Sequence, residues 1–220
     1  MQDFNITKVG STFHIEGFPD GIKVISIEGS RAEKLSDLWL HRFDLRSTID
    51  CLEAINHTSE NPRILREALW RTAIVFFFKC FSWSRSREKL LKEEVYEADR
   101  QFLSILKNLK DLRDRYLVHD ENAYSQSFPG AILNRGNKTY KIEKVCCIAF
   151  LIETSTKENL NDLHLLTQRA LKYVEEKLDK VCVSLTKDLE AKPYDVLFKM
   201  RSVKWTTPDP KKIGKPRKNK

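Results

Sequence analysis

Apolar residues recur at intervals of three and four from about Lys157 to Leu189, which is the spacing of one face of an α-helix. The apolar positions of this stripe are Leu160, Leu163, Leu166, Ala170, Val174, Leu178, Val181 and Leu185. A helix of this length leaves a long apolar face that other helices must cover. Residues 32–57, 62–83 and 92–118 have helical spacing too, so the sequence predicts a mainly α fold.

Short β segments are predicted around these helices. Residues 11–16 and 22–28 alternate in the manner of strands and flank a turn sequence at 18–21, which predicts an N-terminal β-hairpin. Residues 131–133 and 139–142 are candidate strands of a short β insertion, and residues 145–152 fit either a strand or a helix. We therefore expect a bundle of four to five helices with minor β decoration.

Three regions are predicted along the chain: a hairpin appendage at 1–30, a helical domain at 31–198 and a basic, flexible tail at 199–220. The whole chain has a formal charge of +8, and the tail, with nine Lys or Arg and one Asp, carries all of it. The tail also contains three prolines and a glycine, which favours mobility. It is either a solubilising end or an arm that binds nucleic acid.

Several classes of protein are excluded or disfavoured by what the sequence lacks. The first residues do not have the pattern of a secretory signal, so we expect none. The most apolar stretch, residues 73–81, contains Lys79 and is far short of the ~20 residues that span a bilayer. The five cysteines form no C-x-x-C pair, and no phosphate-binding loop or paired histidine motif occurs. We therefore expect a cytoplasmic protein without disulfides, metal, cofactor or membrane contact.

The most informative constellation lies near the end of the predicted third helix. An apolar stripe formed by Phe102, Ile105, Leu109, Leu112 and Tyr116 ends in His119. At ~100° per residue, Arg113 and His119 lie about 60° to either side of the centre of this stripe, whereas Asp114 and Arg115 point outside it. We expect the histidine to face inward. A guanidinium on a buried face requires a carboxylate, an interface or a bound anion.

The segment Leu112–Asn122, LRDRYLVHDEN, resembles the Arg-x(4–6)-His signature of the HEPN superfamily, the nucleotide-binding domains of higher eukaryotes and prokaryotes, in which a polar residue often follows the arginine. Its continuation to Tyr124 is similar to abortive-infection-type bacterial members. In architecture the resemblance covers roughly residues 32–189, and it implies a HEPN-like bundle. Relatives that are silenced by nucleotidylation of a tyrosine carry it two residues after the histidine, where this chain has Glu121.

The resemblance implies a metal-independent ribonuclease whose motif helices pack as a homodimer around one shared cleft. His119 would act as acid or base and Arg113 would stabilise charge on phosphorus, leaving a 2′,3′-cyclic phosphate. Asp114, Asn122 and Tyr124 would support them. A toxin or phage-defence effector with a cognate antitoxin or regulator is the implied role.

Other readings of these residues stay open. His119 could simply favour the last helical turn, and Arg113 could pair with a core carboxylate such as Glu53 or Glu67. The fold could also be a non-catalytic module that binds RNA, a nucleotide or a protein. Arg85 and Arg87, in a basic connector, and Arg115 are the candidates for contacting RNA phosphates. Residues expected in the core are Trp70, Phe76, Phe77, Phe78, Trp83, Cys146 and Cys147.

Overall fold

A computed structural model describes residues 6–9, 12–57, 63–119, 121, 123–204 and 209–214. The prediction of a mainly helical chain is confirmed. The helices are α1 (Ser30–His57), α2 (Arg63–Lys79), α3 (Lys92–Val95), α4 (Arg100–Leu112), α5 (Lys157–Glu190) and α6 (Tyr194–Lys199), and the strands are β1 (Ile6–Val9), β2 (Thr12–Ile15), β3 (Ser125–Leu133) and β4 (Ile142–Leu151). A π-helical turn, Arg113–Val118, follows α4, and a short 3₁₀ turn spans Pro210–Lys212.

The chain forms two compact units. The first comprises residues 1–46, 79–91 and 170–220, and the second comprises residues 47–78 and 92–169. The helices α1 and α5 contribute residues to both units. Each unit has its own set of buried side chains, and the candidate nuclease motif belongs to the second.

The N-terminal hairpin lies earlier in the chain than the alternation predicts. β1 and β2 pair antiparallel, with Ile6 opposite Ile15, and the turn around 18–21 follows this hairpin instead of closing it. The predicted second strand, 22–28, pairs with no neighbour in sequence. Ile25 forms an isolated bridge with Ser202, and hydrogen bonds from Ser26 and Val203 extend it. The prediction was wrong because a partner 177 residues away leaves no local signal.

The same pairing corrects the prediction of a wholly flexible tail. Residues 201–203 lie beside residues 24–26, and the Lys23 ammonium donates 2.6 Å hydrogen bonds to the carbonyls of Phe198 and Met200. The Lys23 ammonium also lies 5.4 Å from the ring centre of Phe198. The beginning of the predicted tail is therefore part of the first unit. Its final six residues lie outside the described part of the chain.

The core of the second unit is built around α2. The sequence predicts that α2 is buried nearly all round. One face of the helix is buried, and its residues are Trp70, Ala73, Ile74, Phe77 and Phe78. The opposite face is not, since Ile64 and Val75 are exposed. Trp83, expected in the core, is 74% exposed, because α2 ends at Lys79 and the chain turns before reaching it.

The predicted third helix, 92–118, is broken near its start. Glu97 and Ala98 have positive φ values of 53° and 56°, a left-handed conformation that ends α3. Asp99 then begins α4, its carboxylate accepting hydrogen bonds from the backbone N–H of Gln101 and Phe102. A single long helix was therefore the wrong prediction, although its C-terminal part is correctly placed.

The ambiguous segment 145–152 is largely a strand. β4 pairs antiparallel with β3 in a long hairpin, which extends well beyond the predicted strands 131–133 and 139–142. The hairpin is open to solvent on both faces, so Cys147 is exposed and Cys146 is half-buried. The expectation that these cysteines lie in a core was wrong, because an apolar run does not by itself bury a strand.

Within the part of the chain that the structure describes, no helix is both long enough and apolar enough to cross a bilayer. The same residues hold no group of three or more His, Cys, Asp or Glu side chains placed to share a metal ion.

Candidate functional site at the end of the fourth helix

The helix α4, which leads into the motif, is strongly amphipathic. Leu106 and Leu109 are buried on one face, and the polar residues between them are exposed. Asp99 satisfies backbone donors at the N-terminus. Arg113 is the first residue after this helix.

The six residues Arg113–Val118 form a π-helical turn, in which hydrogen bonds span five residues instead of four. The turn closes with the N–H of His119, which donates to the Asp114 carbonyl at 3.2 Å. Glu121 N–H donates to the Arg115 carbonyl at 2.9 Å. His119 itself is extended, with φ −121° and ψ 151°. Such turns are frequent at functional sites, because they re-aim side chains within a helix.

Arg113 lies on the inner side of this turn, as its position on the predicted stripe requires. Its guanidinium carbon lies 4.6 Å from the ring centre of buried Phe78, and its side chain is 20% exposed. Its Nε donates to Asp114 Oδ1 at 2.6 Å. Asp114 therefore supplies a carboxylate partner that the helical wheel placed outside the stripe. Glu67, one of the carboxylates considered for this role, accepts a hydrogen bond from Arg71.

The Asp114 carboxylate binds two cationic side chains. Besides Arg113, its Oδ2 accepts a 2.7 Å hydrogen bond from the Lys110 ammonium, one helical turn earlier. Partial burial acts to raise the pKa of Asp114, but the hydrogen bonds from Lys110 and Arg113 outweigh it and hold the pKa below its usual value. The carboxylate is therefore ionised at neutral pH and restricts the orientation of the Arg113 guanidinium.

His119 is exposed, which corrects the expectation that it faces inward. The helical wheel assumed ~100° per residue up to position 119, whereas the π-helical turn winds more slowly and the chain leaves the helix at the histidine. The imidazole is consequently accessible to a ligand from solvent. Arg115, on the same turn, is also exposed, as predicted.

Tyr124, a predicted supporting residue, lies close to the motif. Its ring makes an edge-to-face contact with Tyr116 of the π-helical turn, with centres 5.6 Å apart. The Tyr116 hydroxyl donates a 2.9 Å hydrogen bond to the carbonyl of Ile152, just after β4. These contacts connect the motif to the base of the β3–β4 hairpin. Asn122, the other supporting residue, lies outside the described residues.

Of the two connector arginines, Arg87 has a structural role that the sequence did not reveal. Its guanidinium donates to Asp44 at 2.7 Å and to the Lys79 carbonyl at 2.9 Å, and only 12% of its side chain is exposed. It is thus a poor candidate for contacting phosphate. Arg85 is exposed and lines a surface cavity of 480 Å³ in the first unit, together with Arg31, Lys34 and Glu88.

The carboxylate that holds Arg87 belongs to a buried polar cluster on α1, which sequence reasoning missed. Asp44 also accepts a 2.7 Å hydrogen bond from Lys79. His41, one turn earlier, donates from Nε2 to the Glu88 carbonyl at 2.8 Å, and its buried Nδ1 has no hydrogen-bond partner among the described residues. The signal was present in the sequence, because both residues fall between Leu38 and Leu45 on the buried face of α1.

Burial lowers the pKa of His41 to about 4, and the nearby Arg87 guanidinium acts in the same direction. The hydrogen bond to the Glu88 carbonyl and the carboxylates of Asp37 and Asp44 offset part of this effect. The imidazole is therefore neutral at physiological pH. The cluster fastens the connector 84–89 to α1.

No family model, curated protein or solved structure matches this chain. A function for it has to be proposed from the chemistry of the candidate site.

Proposed function

We propose that the chain is a metal-independent RNA endonuclease of the HEPN type, built on a HEPN-like helical bundle of four to five helices and active as a homodimer. One observation carries the proposal. The π-helical turn presents a guanidinium whose orientation is restricted by Asp114 and Phe78, and an exposed imidazole follows at its end. A guanidinium and an imidazole are the kinds of group that cleavage by the 2′-hydroxyl of RNA itself requires.

The proposed reaction is an internal transfer at phosphorus. The RNA 2′-oxygen forms a bond to phosphorus, the bond from phosphorus to the 5′-oxygen breaks, and the products are a 2′,3′-cyclic phosphate and a 5′-hydroxyl. A His119 imidazole accepts the proton of the 2′-hydroxyl, or its protonated form supplies one to the departing 5′-oxygen. Arg113 stabilises the negative charge on the non-bridging oxygens.

The exposure of His119 supports a shared cleft. A histidine on an open surface is poorly placed to exclude water, and a second protomer that covers the turn would both exclude water and add a second motif. Val118, adjacent to it, is 60% exposed and would be covered by the same second protomer. A toxin or phage-defence effector, controlled by a cognate antitoxin or regulator in the cytoplasm, is the role that the resemblance suggests.

A second candidate function is a non-catalytic module that binds RNA, a nucleotide or a protein. The observation that favours it is the engagement of Arg113, whose Nε and one Nη both lie within 2.6 Å of Asp114 Oδ1. A guanidinium neutralised in this way stabilises the turn and has less charge to offer to a phosphate. The two candidates make opposite predictions for cleavage.

The test uses the purified full chain with labelled single-stranded RNA in EDTA. We expect the wild type to release fragments with 2′,3′-cyclic phosphate ends, and His119→Ala and Arg113→Ala each to lower the cleavage rate at least ~100-fold. His164→Ala, a histidine on α5, is the matched control and should cleave as the wild type does. Arg115→Ala should weaken RNA affinity without abolishing cleavage.

Two results separate the alternatives. RNA binding by the wild type without cleavage, unchanged in the His119 variant, would support the module. Cleavage that survives in both motif variants would place the activity elsewhere, and circular dichroism of each variant must first show that the helices are intact.

A further inference from the structure

The β3–β4 hairpin is the largest feature that the proposed function leaves unexplained. No residue of β3 or β4, both of which the structure describes in full, is buried. Val145 is 74%, Phe150 58% and Ile148 56% exposed. An isolated two-stranded hairpin is only marginally stable in water, and a cluster of exposed apolar residues marks an interaction surface.

The two outer edges of this hairpin differ in their capacity to bind another strand. Pro129, in the middle of β3, lies opposite Cys147 and has no N–H. It therefore occupies a pair that exchanges no hydrogen bonds within the hairpin. The Ile152 N–H donates a 3.0 Å hydrogen bond to the Tyr124 carbonyl, so residues 124 and 152 form a hydrogen-bonded pair. Bonded and non-bonded pairs alternate along an antiparallel hairpin, so the even-numbered residues form the bonded pairs and Pro129 lies in a non-bonded one.

It follows that the odd-numbered residues of both strands direct their backbone groups outward. On β3 the proline interrupts this outer edge, as it does in proteins that prevent strand addition. On β4 the outward positions are Val145, Cys147, Ala149 and Leu151, and each has an N–H. Among the described residues no further strand pairs with the hairpin. The outer edge of β4 is thus the one competent to accept a strand.

We infer that the outer edge of β4 binds β4 of a second copy of this chain, antiparallel, to form a four-stranded sheet across a twofold axis. Symmetric pairing of two outer edges requires outward residues to meet outward residues. The register with Ile148 opposite its own copy satisfies this condition. It pairs Val145 with Leu151 of the second copy and Cys147 with Ala149 of the second copy.

The side chains and charges of β4 suit this partner. In that register every paired residue from 145 to 151 is uncharged, and the only charged residues of the strand, Glu143 and Lys144, lie beyond the paired region. The two copies of Lys144 stand ~27 Å apart along the strands, well beyond a Debye length of ~8 Å. A parallel arrangement would place them side by side. Phe128 and Phe150 extend the apolar surface beside Ile148, and their ring centres lie 6.1 Å apart.

The size of the contact sets its expected strength. A stable interface buries ~800 Å² on each partner. The edge of one strand, together with partial burial of Phe128 and Phe150, would bury less than this area. We therefore expect a concentration-dependent dimer, measurable by sedimentation between about 1 and 100 µM. This inference concerns the hairpin alone and is separate from the contact that the proposed function places at the π-helical turn, so the test depends on the difference between variants of the two hairpin edges.

A pair of proline substitutions tests the edge directly. Ser127 and Ala149 face each other across the hairpin and both direct their N–H outward, one to each edge. Ala149→Pro removes a donor from the β4 edge and should weaken dimerisation at least tenfold. Ser127→Pro makes the same change on the β3 edge and should leave it unaltered. Circular dichroism shows whether each variant keeps its fold.

A disulfide tests the register independently. In a chain with Cys146→Ser and Cys147→Ser, we expect Ile148→Cys to give an intermolecular disulfide on mild oxidation, because directly opposite residues in a non-bonded pair have Cα atoms ~4.5 Å apart. Val145→Cys, which faces Leu151 of the second copy, should give little. A wild type that stays monomeric at 100 µM, or equal dimerisation of both proline variants, would overturn the inference.

Discussion

Acid should destabilise the first unit through one buried side chain, His41 of α1. The imidazole is 1% exposed, and its pKa in the folded chain is about 4 instead of 6.5. Its Nε2 already donates to the Glu88 carbonyl, so a second proton would have to enter at Nδ1, which has no acceptor among the described residues. The folded state therefore resists protonation.

The sign and size of the effect follow from linkage. Between pH 6.5 and about 4 the unfolded chain binds a proton at His41 and the folded chain does not, so the free energy of unfolding falls as the pH falls. Each pH unit in this window costs up to about 1.4 kcal/mol, and the whole window about 3 kcal/mol. Above about pH 7.5 His41 contributes almost no pH dependence.

The assay is urea denaturation, followed by circular dichroism, at pH 7.0, 6.0, 5.0 and 4.5. His41→Gln keeps a donor near the Glu88 carbonyl and removes the titrating group. Between pH 7.0 and 4.5 we expect the wild type to lose about 2.5 kcal/mol more than this variant does. Carboxylates contribute equally to both chains and cancel in the difference. Parallel pH curves for the two chains would refute the reasoning.

Three further substitutions test other contacts. Asp44→Asn should destabilise the chain by about 3 kcal/mol, because it leaves the largely enclosed Arg87 guanidinium without its carboxylate. Asp50→Asn, on the exposed face of α1, should cost less than about 0.5 kcal/mol in the same urea titration. Thr154→Val removes the acceptor of the buried Trp70 indole N–H and should cost about 2 kcal/mol, with Thr154→Ser as the near-neutral control. Ala98→Gly should raise the urea midpoint by the equivalent of about 1 kcal/mol, since glycine adopts a φ of 56° without strain; an unchanged midpoint would contradict this.

Much of the helical framework could be predicted from the sequence, because apolar periodicity is a local property. α5 was expected at 157–189 and spans 157–190. The break before α4 could not be predicted in this way. Left-handed residues are usually glycine or asparagine, and Glu97 and Ala98 give no such indication. Both residues are exposed, and Glu97 forms a 2.7 Å ion pair with Arg169, a partner distant in sequence.

The candidate site was only partly predictable for a related reason. The inward position of Arg113 depends on the regular helix that precedes it, and the wheel placed it correctly. His119 lies beyond the π-helical turn, where a rule of ~100° per residue no longer holds. The pairing of buried Asp44 with Arg87 required knowledge of the fold, because their positions lie 43 residues apart.

The π-helical turn also affects how this chain should be aligned with others. A turn of this kind is equivalent to one additional residue in an α-helix, so a relative without it would carry its motif histidine one position nearer the arginine. Deleting a single residue between 114 and 118 would restore ordinary winding and leave the segments on either side of the turn, including the entry to β3, in the same register. An alignment that allows no gap inside the helix would pair non-equivalent residues from this point onward, and the two motif histidines would not be matched.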